Sequence, residues 1–135
     1  MNDTAASLGH YTVDRYFALA ECGILAPDDC VELLDGLVVA MPPPTPSHEN
    51  AVQRITYLLL RRLGFEVIVR TQASFVVGGD SVPQPDIAVC PGDKETYEHR
   101  RPTQAHLLVE VSLSSLAQDR LTKSAIYARA GVPCY

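Results

Sequence analysis

A carboxylate set inside a run of apolar residues constrains this chain more than any other feature. In His106-Leu107-Leu108-Val109-Glu110-Val111-Ser112, Glu110 interrupts a stretch that otherwise reads as a strand covered on both faces. An ionised carboxyl group in such surroundings persists only when it is paired, hydrogen-bonded or bound to a metal. Asp86 is the first acidic candidate for a shared site. In Gln84-Pro85-Asp86-Ile87-Ala88-Val89 the proline ends a loop and the apolar residues read as a second strand with Asp86 at its mouth. If the strands are neighbours, two like charges meet, and a shared proton or a divalent cation relieves their repulsion. Lys123, in a helix expected from Ser114 or Ser115 to Gly131, supplies a positive charge, and Asp119, Lys123 and Tyr127 share one stripe of that helix.

At 135 residues, with 47% hydrophobic and 20% charged residues, the chain reads as a single domain, 1–135, large enough for its own core. Residues 1–10 read as flexible, and residues 11–29 as an N-terminal helix and turn. The apolar stretches fall far short of the ~20 residues a membrane helix needs. The start lacks a basic segment followed by a hydrophobic one, so the expectation is a cytoplasmic protein with no membrane contact. Cys22, Cys30, Cys90 and Cys134 form no C-x-x-C pair and lie in or beside apolar sequence, which predicts reduced, mostly buried thiols rather than a zinc site. A net charge of −5 excludes a uniformly basic coat for nucleic acid. It leaves room for a local site, because a bound divalent cation reverses the field that a phosphate meets.

Thr12 predicts the cap of a helix running to Cys22 and stopped by Gly23. Asp35-Gly36 between two apolar runs, 31–34 and 37–41, predicts a tight hairpin. Pro42 to Pro46 reads as a stiff connector, Ser47 as the cap of a helix through Leu63, and Gly64 as its stop. Phe65 to Arg70 and Ala73 to Val77 read as strands, followed by a Gly78-Gly79-Asp80 turn, and Pro91 to Pro102 reads as an exposed charged loop.

The ordered motifs Val31-Glu32-Leu33-Leu34-Asp35-Gly36, His48 at a helix start, Pro85-Asp86-Ile87-Ala88-Val89, Val109-Glu110-Val111-Ser112, Asp119-Arg120, Lys123 and Tyr127 to Pro133 together carry a resemblance. From about Tyr11 to Tyr135 the chain resembles the bacterial putative restriction endonuclease family of the PD-(D/E)XK nuclease superfamily. The resemblance implies an α/β (α+β), three-layer restriction-endonuclease-like fold with a mixed central sheet flanked by helices. It implies Asp86 and Glu110 as metal-binding carboxylates, Glu32 as a further acidic site residue and Lys123 as the catalytic lysine. The superfamily's usual lysine position, two residues after the second carboxylate, holds Ser112 here, so that role moves to the helix. Relatives continue with a tryptophan and a further strand. The end at Tyr135 therefore implies truncation and an open sheet edge, able to pair with another chain as a homodimer.

The implied activity is Mg²⁺-dependent hydrolysis of DNA phosphodiesters, with Mn²⁺ as a substitute cation. Blander readings stand beside it. Glu110 and Lys123 also fit a buried structural ion pair, and Glu32 the solvent side of an edge strand. Tyr127 fits sheet packing, and His48 a helix-start residue lining the cleft. A nuclease-like module that binds nucleic acid or protein without cleaving is the alternative function.

Overall fold

The computed structural model describes residues 10–112 and 117–135, with the side chains of residues 117–119 outside that description. The expected flexible start, the Ser114 or Ser115 cap and the Asp119 side chain therefore lie outside the described residues. The elements are α1 (Val13–Glu21), β1 (Val31–Leu34), β2 (Leu37–Ala40), α2 (Pro46–Leu63), β3 (Val67–Thr71), β4 (Ile87–Pro91), β5 (Leu107–Val109) and α3 (Ala117–Arg129). This is the α+β content that the sequence predicts.

Local chemistry accounts for most boundaries. Thr12 caps α1 by accepting from the Arg15 N–H. Asp35 and Gly36 take φ of 48° and 81°, the two positive values that a tight hairpin turn demands, and β1 pairs antiparallel with β2 from Val31↔Ala40 to Leu34↔Leu37. The cap of α2 is Thr45 rather than Ser47: its hydroxyl accepts from the His48 N–H at 3.2 Å. Pro46 then occupies the first helical turn, where its missing N–H costs nothing.

The strand expected over Ala73 to Val77 is not regular. Phe75 and Val77 do donate to the carbonyls of Pro83 and Ser81, but Pro83 and Pro85 on the opposing segment have no N–H to return. Only an isolated bridge, Val77↔Ser81, remains around the turn. A second bridge, Leu33↔Val82, fastens the β1–β2 hairpin to this segment, and Tyr16 of α1 packs on Leu33 and Val82.

The other sheet has the order β3-β4-β5. Every described strand pair is antiparallel, where a mixed sheet was expected. A parallel pair needs a long, usually helical crossover, and the segments 72–86 and 92–106 contain no helix. α2 packs along β3. Ala88 and Cys90 of β4 and Leu108 of β5 share one face with Ile126 and Tyr127 of α3, which makes the main core. Of the four free cysteines only Cys90 is buried, with its thiol pushed up to about 11 by burial against the opposing pull of Arg70. Cys22, Cys30 and Cys134 are exposed, contrary to the expectation, because they sit at a helix end, in the approach to β1 and in the final segment.

Candidate active site

The register of β4 and β5 brings the two carboxylates together. Ile87 lies opposite Val109 in an antiparallel ladder, so the next residues outward, Asp86 and Glu110, face each other where the ladder ends. Asp86 Oδ2 accepts from the Val111 N–H at 2.7 Å, which ties the mouth of one strand to the exit of the other. Glu110 thus lies just past the end of β5 rather than within the ribbon, with its side chain 17% exposed.

Three further elements close on this pair. From α3, Lys123 Nζ lies 3.2 Å from Glu110 Oε1, and the Tyr127 hydroxyl donates to the same oxygen at 2.6 Å. From β1, Glu32 Oε1 lies 3.1 Å from Lys123 Nζ, while Glu32 Oε2 accepts from the Gln84 N–H at 3.1 Å. Glu32 is only 4% exposed, so it faces inward rather than standing on the solvent side of an edge strand. From α2, His48 Nε2 lies 3.1 Å from Asp86 Oδ1. The structure therefore assembles all four of Asp86, Glu110, Lys123 and Glu32 in one cluster.

Lys123 lies between Glu32 and Glu110, while Asp86 meets His48, and the protonation tendencies follow from that arrangement. Burial, aided by the charge of Asp86, pushes Glu110 above the usual carboxylate range, against the opposing pull of Lys123 and the Tyr127 hydroxyl. Burial pulls on Lys123 in the opposite sense, but the charges of Glu110 and Glu32 outweigh it and hold the ammonium above its ordinary value. The two directions are compatible: Lys123 stays charged, and the ionised form of Glu110 is the one that burial disfavours. Tyr127 is pushed up by burial and by the adjacent Glu110, which keeps its hydroxyl a donor.

The described contacts of Glu110 all use Oε1, which leaves Oε2 without a partner among the described residues. Among these residues, no group of three or more His, Cys, Asp or Glu is arranged as a metal cage. Two surface concavities, of about 360 and 380 Å³, lie elsewhere; one is lined by Val77, Asp80 and Arg129, the other by Asn50, Arg54 and Tyr57. Neither is lined by a residue of the cluster.

The spacing of Lys123 and Tyr127 at i, i+4 already placed both on one stripe of α3, but the hydroxyl contact of Tyr127 with Glu110 went beyond the packing role expected of it. The His48–Asp86 contact had no signal beyond the position of His48 at a helix start.

Three helices and two antiparallel sheets give the content of a small restriction-endonuclease-like α+β domain. The chain belongs to the Uma2 family, described as putative restriction endonuclease, whose sequence model matches residues 13–135. No curated protein matches the chain. Among the described residues, no helix is long and apolar enough to cross a membrane.

Proposed function

We propose that the protein is a Mg²⁺-dependent endonuclease that hydrolyses DNA phosphodiesters, with Asp86 and Glu110 as cation ligands and Lys123 as the catalytic cation. The observation that carries this reading is the facing of Asp86 and Glu110 at the open end of the β4–β5 ladder, with Lys123 on Glu110. Family membership supports a nuclease and a DNA substrate.

The donor set fits the ion. Mg²⁺ takes oxygen ligands and keeps several waters, so it needs one or two carboxylates plus a phosphate oxygen rather than a complete protein cage. Burial and the charge of Asp86 disfavour the ionised form of Glu110, whose Oε2 has no partner among the described residues, and a cation held between it and Asp86 would relieve both conditions. When bound, Mg²⁺ supplies Lewis acidity at the phosphate and a more acidic coordinated water. Mn²⁺ has the same requirements to a good approximation.

The protein's own groups do the rest. Lys123 is held above its ordinary value and is a poor base at neutral pH, so it acts as a fixed positive charge on the oxygens that gain charge as the phosphorus is attacked. Glu32 orients the lysine, and Tyr127 holds Glu110 Oε1, which would leave Oε2 for the cation.

A second reading has its own support. Lys123 bonds two carboxylates and Tyr127 completes one of them, which is also the pattern of a self-satisfied structural network in a non-cleaving nucleic-acid or protein-binding module. Conversion of supercoiled plasmid to nicked and linear forms separates the two. The endonuclease converts plasmid with Mg²⁺ and stops in chelator, while Glu110→Gln and Lys123→Ala lose at least ~100-fold in rate. Absence of conversion by folded wild type, with retained DNA binding, selects the module.

A further inference from the structure

His48 stands in the cleft with no task in the hydrolysis proposed above. Its imidazole is 18% exposed, its Nε2 meets Asp86 Oδ1 at 3.1 Å, and its Nδ1 is buried with no hydrogen-bond partner among the described residues. An ionised carboxylate only accepts, so the ring hydrogen in that contact belongs to Nε2. Nδ1 is sealed from solvent, so the ring cannot hand a proton through to water or touch a substrate on that side.

Asp86 needs such a partner. The Val111 N–H holds Oδ2, but one bond leaves the carboxylate free to turn about it. A second bond to Oδ1, from another element, fixes the plane. The backbone that carries the ring is well anchored: Pro46 sets the first turn of α2, and the Thr45 hydroxyl takes the His48 N–H. Most buried polar atoms have a hydrogen-bond partner, so the unpartnered Nδ1 is a cost, and the Nε2 contact with Asp86 is what the ring offers against it.

We propose that His48 is a positioning residue: by donating from Nε2 to Oδ1 it sets the orientation of the Asp86 carboxylate and so the cation affinity of the Asp86–Glu110 pair. This rests on the reading of that pair as cation ligands. Partners of metal ligands typically contribute 10–100-fold to affinity or activity.

The test is a Mn²⁺ titration of the full chain, followed by the electron paramagnetic resonance of the free ion, for wild type, His48→Gln, His48→Asn and His48→Leu at one pH. Thermal unfolding in chelator is measured alongside. A glutamine amide nitrogen reaches the place of Nε2, whereas the shorter asparagine places its nitrogen near Nδ1, and leucine keeps only bulk. The expected result is that His48→Gln binds Mn²⁺ within about threefold of wild type while His48→Asn and His48→Leu bind ~10–100-fold more weakly. In plasmid cleavage at a common Mg²⁺ concentration below saturation, the latter two lose kcat with KM for DNA unchanged. His48→Leu binding Mn²⁺ as tightly as wild type overturns the proposal, as does His48→Gln binding as weakly as His48→Leu, because bulk or stability would then explain the effect. Absence of Mn²⁺ binding by wild type overturns the cation reading itself, a different outcome from equal binding by all four proteins.

Discussion

Replacing Lys123 by alanine removes the ammonium that bridges Glu32 and Glu110, and the cost follows from the geometry. Nζ lies 3.1 Å from Glu32 and 3.2 Å from Glu110, and the three side chains are 15%, 6% and 17% exposed, so solvent screens the contacts little. Deleting one partner of a buried pair typically costs ~3–5 kcal/mol, because the remaining charge is left desolvated. Unfolding entropy of about 2 cal/mol/K per residue converts that into a fall in Tm of roughly 10–18 °C for a chain this long. The assay is thermal and urea unfolding followed by circular dichroism, in chelator so that no cation substitutes for the ammonium. The loss shrinks as the pH falls, because Glu110, already raised by burial, takes up a proton and no longer needs a counter-charge. In wild type, Lys123 has a raised value, so its stabilisation is complete below its ordinary value of 10.5 and is lost only as the pH rises through the higher folded value. A loss below 1 kcal/mol at pH 7 would refute the reasoning, since the cluster would then be screened like a surface pair.

Glu110→Gln keeps an acceptor for Tyr127 and removes a charge that burial disfavours, so in chelator at pH 7 urea unfolding should show stability equal to or above wild type. The raised value of Glu110 means that its contribution is present below 4.5 and lost as the pH climbs through the folded value; this part of the pH slope should vanish in the variant. Tyr127→Phe deletes a 2.6 Å bond to a charged acceptor in the core and should cost ~1.5–3 kcal/mol in the same unfolding assay. Arg129→Ala removes a contact with Asp35 between side chains that are 55% and 44% exposed, and should change stability by less than ~1 kcal/mol. Gly36→Ala puts a Cβ against the His10 imidazole at a positive φ of 81° and should lower Tm measurably.

What was legible in the sequence and what was not divide along physical lines. The Asp35-Gly36 hairpin, the Thr12 cap and the Gly64 stop depend on a few adjacent residues, and local rules reach them. The convergence of Asp86, Glu110, Glu32 and Lys123 came from the demand that a carboxylate in apolar sequence find partners, together with the family resemblance. Long-range facts escaped. The irregular arm at Ala73 to Val77 depends on which residues oppose it, and the prolines that deny it a ladder lie across the turn. The burial of Glu32 depends on the approach of α3 and of the Gln84 N–H, neither of which has any trace in the alternation of β1. Cys22, Cys30 and Cys134 are exposed despite apolar neighbours in sequence, because such neighbours do not bury a residue outside the packed elements.

The central claim, that Asp86 and Glu110 together hold a divalent cation, is tested most directly by calorimetric titration of Mg²⁺ and Mn²⁺ into wild type and Asp86→Ala. One cation per wild-type chain, with binding lost in a folded Asp86→Ala protein, is the predicted result. Silence from folded wild type, or undiminished binding by the variant, contradicts the claim.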